Sequence, residues 1–207
     1  MGTFYLTKQQ LYQKVETCRN KLKSNGITEI NIKNICNEYP YILVDYIPLT
    51  TPGLRGLVIF PSQSNPFNRV IINSLLPSSE QQFHSIHEYM HIYLHSELGG
   101  ANITCFDKAI GLHQDSCIEW QANEGAAELI IPYREFVPLF LKMYNEYSLL
   151  PDYWRLVYGN DSLFQVLASR YNVSVPVIKN RISTLSYEID QYRYNTPIEE
   201  INLLSYT

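Results

Sequence analysis

A chain of 207 residues with 45% hydrophobic content is long enough for one domain with a proper core, or for one domain with a small appendage. Its net charge of −4 argues against a globally basic nucleic-acid binder, and no run of about 18 apolar residues marks a membrane span. Seventeen tyrosines and eight phenylalanines favour broad, partly polar packing surfaces.

Thr7 to about Ser24 predicts a helix, with Leu11, Val15, Cys18 and Leu22 as its apolar stripe and Asn25-Gly26 as its stop. Residues 28 to 38 predict a second, short helix. Three strands follow: Tyr41 to Ile47, Gly56 to Phe60 and Arg69 to Asn73. Turn signals at Thr51-Pro52-Gly53 and at Pro61 to Pro66 separate them. Short strands joined by tight loops make an antiparallel meander the simplest arrangement. A helix then carries Ile86, Met90 and Leu94 as a buried stripe, with Ser78 or Ser79 as its cap and Gly99-Gly100 as its end. Residues 96 to 118 read as a long connection, of the kind that borders functional clefts. Glu119 to Pro132 is rich in helix formers and stops at proline. Tyr133 to Tyr147 predicts another helix that buries Phe136, Leu139, Phe140 and Met143, with Pro138 in its first turn or kinking it.

Leu163 to Leu185 has a helix-turn-helix pattern. Asn172 suits a left-handed turn, Ser174 an N-cap, and Ile178 and Ile182 an inward face, with Lys179, Asn180 and Arg181 outward. Few basic residues lie there, so structural or protein-docking use is favoured over DNA recognition. The expected division is a domain over 1–158, the helical pair over 159–187, and a partly helical tail over 188–207.

The chemistry concentrates in the pentapeptide His87-Glu88-Tyr89-Met90-His91. On a helix, residues four positions apart differ by about 40° around the axis, so both imidazoles leave from one face and can ligate one Zn²⁺ ion. Glu88 is placed to take a proton from an attacking water. A catalytic zinc takes three protein ligands, and Glu119 offers the third. It shares a helix face with Asn123 and the small pair Ala126-Ala127, and a charge on a packed face calls for a partner. Asn123, one turn on, can hydrogen-bond a ligating imidazole and set its tautomer. Glu124 and Glu128 are expected in solvent. Tyr93, His95, His113 and Tyr133 are candidate oxyanion stabilisers. Cys18, Cys36, Cys105 and Cys117 form no C-x-x-C pair and read as reduced thiols packed as small hydrophobes.

H-E-x-x-H, then about 27 residues, then E-x-x-A-N-x-x-A-A-x-L-x-x-P resembles the ImmA/IrrE family of zinc metallopeptidases. The strand Val70-Ile71-Ile72-Asn73 before the His helix fits the same pattern. The resemblance spans about residues 5 to 185. It implies a zincin-like α+β core, a three-stranded antiparallel sheet packed with helices, followed by the helix-turn-helix-like pair. It also implies one Zn²⁺ on His87, His91 and Glu119, with Glu88 as base. Met90 stands where the family usually has Gly, and Gly125 where it usually has Phe. The implied activity is cleavage of a specific protein, often a helix-turn-helix repressor of a mobile element or stress regulon. The competing readings are a non-catalytic regulator binding DNA or a repressor over a structural zinc, and a toxin-like partner. Residues Met1-Gly2-Thr3-Phe4-Tyr5 show no secretory leader, so a cytoplasmic location is expected.

Overall fold

A computed structural model describes residues 5–96, 103–106, 116–148 and 162–204. Within it the described residues form two compact units, one holding those of 5–6 and 10–129 and the other holding Thr7–Gln9 with those of 130–204.

In the first unit, α1 (Lys8–Ser24) buries Leu11, Val15, Cys18 and Leu22, the stripe expected from sequence. It closes at Gly26, whose φ of +85° a side chain would resist. Helix α2 (Ile32–Glu38) starts under an Asn31 cap that accepts from the Asn34 amide. The sheet has the order β1-β3-β2-β4 and is mixed. Strands β1 (Ile42–Ile47) and β3 (Asn68–Asn73) run parallel, while β2 (Leu54–Ile59) pairs antiparallel with β3 and with β4 (Ile103–Phe106).

This corrects the three-stranded antiparallel meander. Strand β3 has the most buried apolar face, with Val70 and Ile72 inaccessible, and it takes the centre where both edges are paired. The connection from β1 to β2 must therefore cross it. Asn73 holds that crossing: its amide donates to the carbonyls of Leu49 (3.0 Å) and Leu54 (3.1 Å) and accepts from the Leu49 N–H at 3.1 Å. Strand β4 lies inside the stretch read as a loop. Four residues give too little alternation to declare a strand, and the other residues between 97 and 115 lie outside those described.

Helix α3 (Ser78–His95) packs on β2 and β3. Pro77, not Ser78 or Ser79, occupies its cap position, with no side-chain cap bond. Gly99-Gly100 lie outside the described residues. Helix α4 (Ser116–Ile130) carries the second motif and packs closely on α3 at Gly125. A methyl group on Gly125 would meet Met90 Sδ at 3.2 Å. The two positions at which the chain differs from the resembled pattern therefore touch each other. In a denaturant double-mutant cycle, Gly125→Phe alone should cost about 1–3 kcal/mol by overpacking. Met90→Gly should cost more, through cavity and helix propensity. The double variant should recover about 0.5–3 kcal/mol relative to additivity. Strict additivity would mean the pair is not coupled.

In the second unit, α5 (Tyr133–Ser148) buries Phe136, Val137 and Phe140 and carries Pro138 internally. Helices α6 (Ser162–Tyr171) and α7 (Val175–Thr184) join through Asn172 in the left-handed conformation (φ 51°). Ile178 is buried, and Lys179 and Asn180 are exposed. Arg181 is not outward as expected: it is 1% exposed, and its Nε and Nη2 donate to the Ile131 carbonyl at 3.1 and 2.9 Å. A charge so placed is held by its hydrogen bonds and offers nothing to a surface partner. Helix α8 (Ser186–Arg193) continues across the 187/188 boundary, and its Glu188 is fully buried, pairing with Lys8 Nζ at 2.7 Å. The 158/159 boundary lies outside the described residues. Among the described residues no helix is long and apolar enough to cross a membrane.

Candidate metal centre

His87 and His91, one turn apart on α3, are both inaccessible to solvent, and their Nε2 atoms face each other at 3.0 Å. Glu119, in the first turn of α4, places Oε2 3.4 Å from His87 Nε2 and Oε1 3.4 Å from His91 Nε2. Ligands of a tetrahedral zinc at ordinary bond lengths of ~2.0–2.1 Å lie ~3.3 Å apart. The three donors therefore stand at the separations such an ion imposes. They form the one three-residue metal-ligand cluster found among the described residues.

Both rings are oriented from behind. His87 Nδ1 lies 3.1 Å from Asn123 Oδ1, an acceptor, so the proton belongs on Nδ1 and the lone pair on Nε2. In that tautomer the Nε2 lone pair of His87 faces the cluster, where it can ligate a cation beside the Glu119 carboxylate. Burial, aided by the neighbouring imidazoles and opposed by Glu119, lowers His91 to about 4, leaving it neutral at pH 7 as a ligand must be. Burial acts to raise Glu119, but its contacts with His87 and His91 outweigh this and hold it at about 2.

Glu88 is fully buried, and neither of its oxygens has a hydrogen-bond partner among the described residues. Burial, then the charge of Glu119, holds its carboxyl well above the ordinary carboxylate range. Against it lies Gly56 of β2, where a Cβ would approach Glu88 Oε1 and the Ile71 carbonyl to 3.0 Å each. Gly56 was not singled out by sequence. An isolated glycine inside a strand, marking close approach of another group, was the available signal.

The other expected residues disperse. His95, 1% exposed, sits behind His91 rather than beside the cluster, with Nδ1 to Nδ1 at 3.1 Å. Tyr93 leaves α3 on another side and donates to the Lys14 carbonyl at 3.2 Å. There it lines a cavity of about 240 Å³ with Cys18, Tyr39, Tyr41 and Tyr89, which none of the three donors or Glu88 enters. Tyr133 opens α5 in the second unit, its hydroxyl accepting from Arg134 Nε at 3.1 Å. His113 lies outside the described residues. Glu124 and Glu128 are buried at 4% exposure, not solvated. Glu124 accepts from the Tyr12 hydroxyl, and Arg19 lies 4.0 Å from the Glu128 carboxylate while binding its carbonyl. Cys18, Cys36 and Cys117 are free thiols.

A family model described as the IrrE N-terminal-like domain, Peptidase M78, matches residues 37–183, well over half of the chain and including every residue of the cluster. No curated protein matches the chain.

Proposed function

This chain belongs to the IrrE N-terminal-like family of peptidases, and from that premise we propose that it is a zinc endopeptidase acting on one specific protein, a helix-turn-helix repressor of a mobile element or stress regulon. The observation that carries the reading is the meeting of His87, His91 and Glu119 beside a buried, unpartnered Glu88. His87, His91 and Glu119 would hold the ion through Nε2, Nε2 and the carboxylate. The chemistry supplied by zinc there is polarisation of the scissile carbonyl and acidification of water. Glu88 takes the proton from the attacking water on a carboxylate oxygen and delivers it to the departing amine nitrogen. Asn123 keeps the His87 lone pair aimed inward. The dry, unsatisfied setting of Glu88 gives its proton transfers little competition from solvent.

The repressor assignment rests on family analogy, since site geometry speaks for the reaction and not for the substrate. Burial of Arg181 takes one cation from the surface of α7 and supports docking or structural use of the helical pair over DNA recognition. A cytoplasmic setting fits the free thiols. The direct test is incubation with the repressor encoded beside this gene, with zinc or with chelator, read by intact mass. Discrete fragments are expected with zinc and none with chelator. A repressor left whole in both arms would remove the substrate assignment.

A further inference from the structure

We infer that His95 is a positioning residue: with Gln121 it forms a buried hydrogen-bond relay that keeps the His91 proton on Nδ1 and its Nε2 lone pair directed at the metal site. The inference rests on the reading of His91 Nε2 as a metal ligand.

The contact between His91 Nδ1 and His95 Nδ1, at 3.1 Å, can hold one proton, so one ring donates and the other accepts. Which ring donates is decided further along. His95 Nε2 lies 3.2 Å from Gln121 Oε1, an atom that only accepts, so that nitrogen must carry the hydrogen. A neutral imidazole has a single N–H. Nδ1 of His95 is therefore a bare lone pair, and His91 Nδ1 donates to it. At its other end the Gln121 amide donates from Nε2 to Cys117 Sγ at 3.1 Å. His91, His95 and Gln121 are at most 1% exposed, so bulk water does not compete for these groups.

The alternative polarity shows what the relay prevents. Were the Gln121 amide turned over, its NH₂ would face His95 Nε2 and require a lone pair there. His95 Nδ1 would then donate, His91 Nδ1 would accept, and the His91 proton would sit on Nε2, blocking ligation. The amide of Gln121 thus sets, two residues away, whether His91 presents a lone pair. His87 achieves the same state through Asn123 alone, in a single step. The two ligands are supported by different devices, so loss of one leaves the other intact.

The test uses the full chain with ¹⁵N-labelled histidine, in chelator, and reads ring tautomers by long-range ¹H–¹⁵N correlation. The expected result is His91 with its proton on Nδ1. A wild-type His91 protonated on Nε2 would overturn the relay, and this measurement needs neither a variant nor activity. Two variants extend it. His95→Asn keeps an acceptor oxygen near the Nδ1 position, whereas His95→Leu removes it. Zinc affinity, from competition with a chromophoric chelator, should fall about 10–100-fold in His95→Leu and recover most of that loss in His95→Asn. Unchanged affinity in a folded His95→Leu variant would also overturn the proposal. Should the protein fail to bind zinc or to cleave any protein while His91 still carries its proton on Nδ1, the relay stands and the peptidase reading falls.

Discussion

Glu88→Gln is expected to abolish proteolysis while leaving zinc bound, and to make the metal-free protein more stable. General-base catalysis of this type contributes about 10²–10⁴-fold, so kcat should drop by that factor with metal content unchanged. The stability gain follows from the setting of the carboxylate. Both oxygens are buried with no hydrogen-bond partner among the described residues, and leaving such groups unsatisfied costs about 1–3 kcal/mol or more. The pH dependence fixes the sign. Burial, and then Glu119, raises the Glu88 pKa in the folded state. A group raised in this way contributes its full stability below its unfolded value, near 4.3, and loses it as pH rises through the folded value. Glutamine has no charge to bury. The variant should therefore melt a few degrees above wild type at pH 8 and level with it at pH 4, both measured in chelator. A variant that still cleaves would show that Glu88 is not the base, and a variant that loses cleavage but still antagonises the repressor in vivo would return the chain to a non-catalytic regulator. A variant that loses stability at pH 8 would mean that Glu88 is satisfied by groups outside its described surroundings.

The pairing of stored cost and function at Glu88 bears on what could be read from sequence. The paired imidazoles were legible because the spacing that brings them together is local: one helical turn does it, whatever the rest of the fold. Asn123 was legible for the same reason once Glu119 was taken as a ligand. What failed was non-local. The exposure assigned to Glu124 and Glu128 came from their pointing away from the Glu119 face, and their partners Tyr12 and Arg19 sit on α1, 112 and 109 residues away for the contacts concerned. Arg181 was likewise placed outward and is buried for the same reason, a distant acceptor at Ile131. The sheet order failed because pairing adjacent strands is the simplest choice, and here the most buried strand, β3, displaced β2 from β1. Met90 and Gly125 each looked like an isolated departure, although they touch. Each of these misses is a contact between segments far apart in sequence, and none disturbs the local geometry that defines the site. His95 lies between the two cases: the sequence marked it as chemically relevant, but only the fold shows that it faces the back of a ligand instead of a substrate.

Removing the metal, or the Glu119 carboxylate, is the perturbation with the largest expected effect on the fold itself. A ligand that binds only the folded state stabilises it by about 4.1 kcal/mol when free zinc is a thousand times its dissociation constant. For a chain of this size each kcal/mol moves the thermal midpoint by about 2–4 °C, so chelation should lower the wild-type midpoint by roughly 10 °C. Glu119→Gln replaces a charged oxygen donor by a weak neutral one, and should lower zinc affinity by more than the 10–100-fold typical of changes behind a ligand. Its midpoint should consequently be almost indifferent to chelator. The same substitution also acts without metal. Because the Glu119 pKa is depressed to about 2 despite burial, its contribution is present above the unfolded value near 4.3 and is lost as pH falls toward 2. Glutamine at 119 should thus destabilise the chelated protein at pH 7 and make little difference near pH 2. In the chelated protein Glu88→Gln and Glu119→Gln therefore move stability in opposite directions at neutral pH, although the two carboxylates serve one site. A cluster of ordinary buried acids would not behave so. The opposition requires one carboxylate held low by its contacts with His87 and His91 and another held high, unpaired, beside it. Calorimetry of the two variants, with and without zinc, reads both signs at once, and equal signs in the chelated protein would show that the site is not arranged as a metal-dependent base with a third ligand.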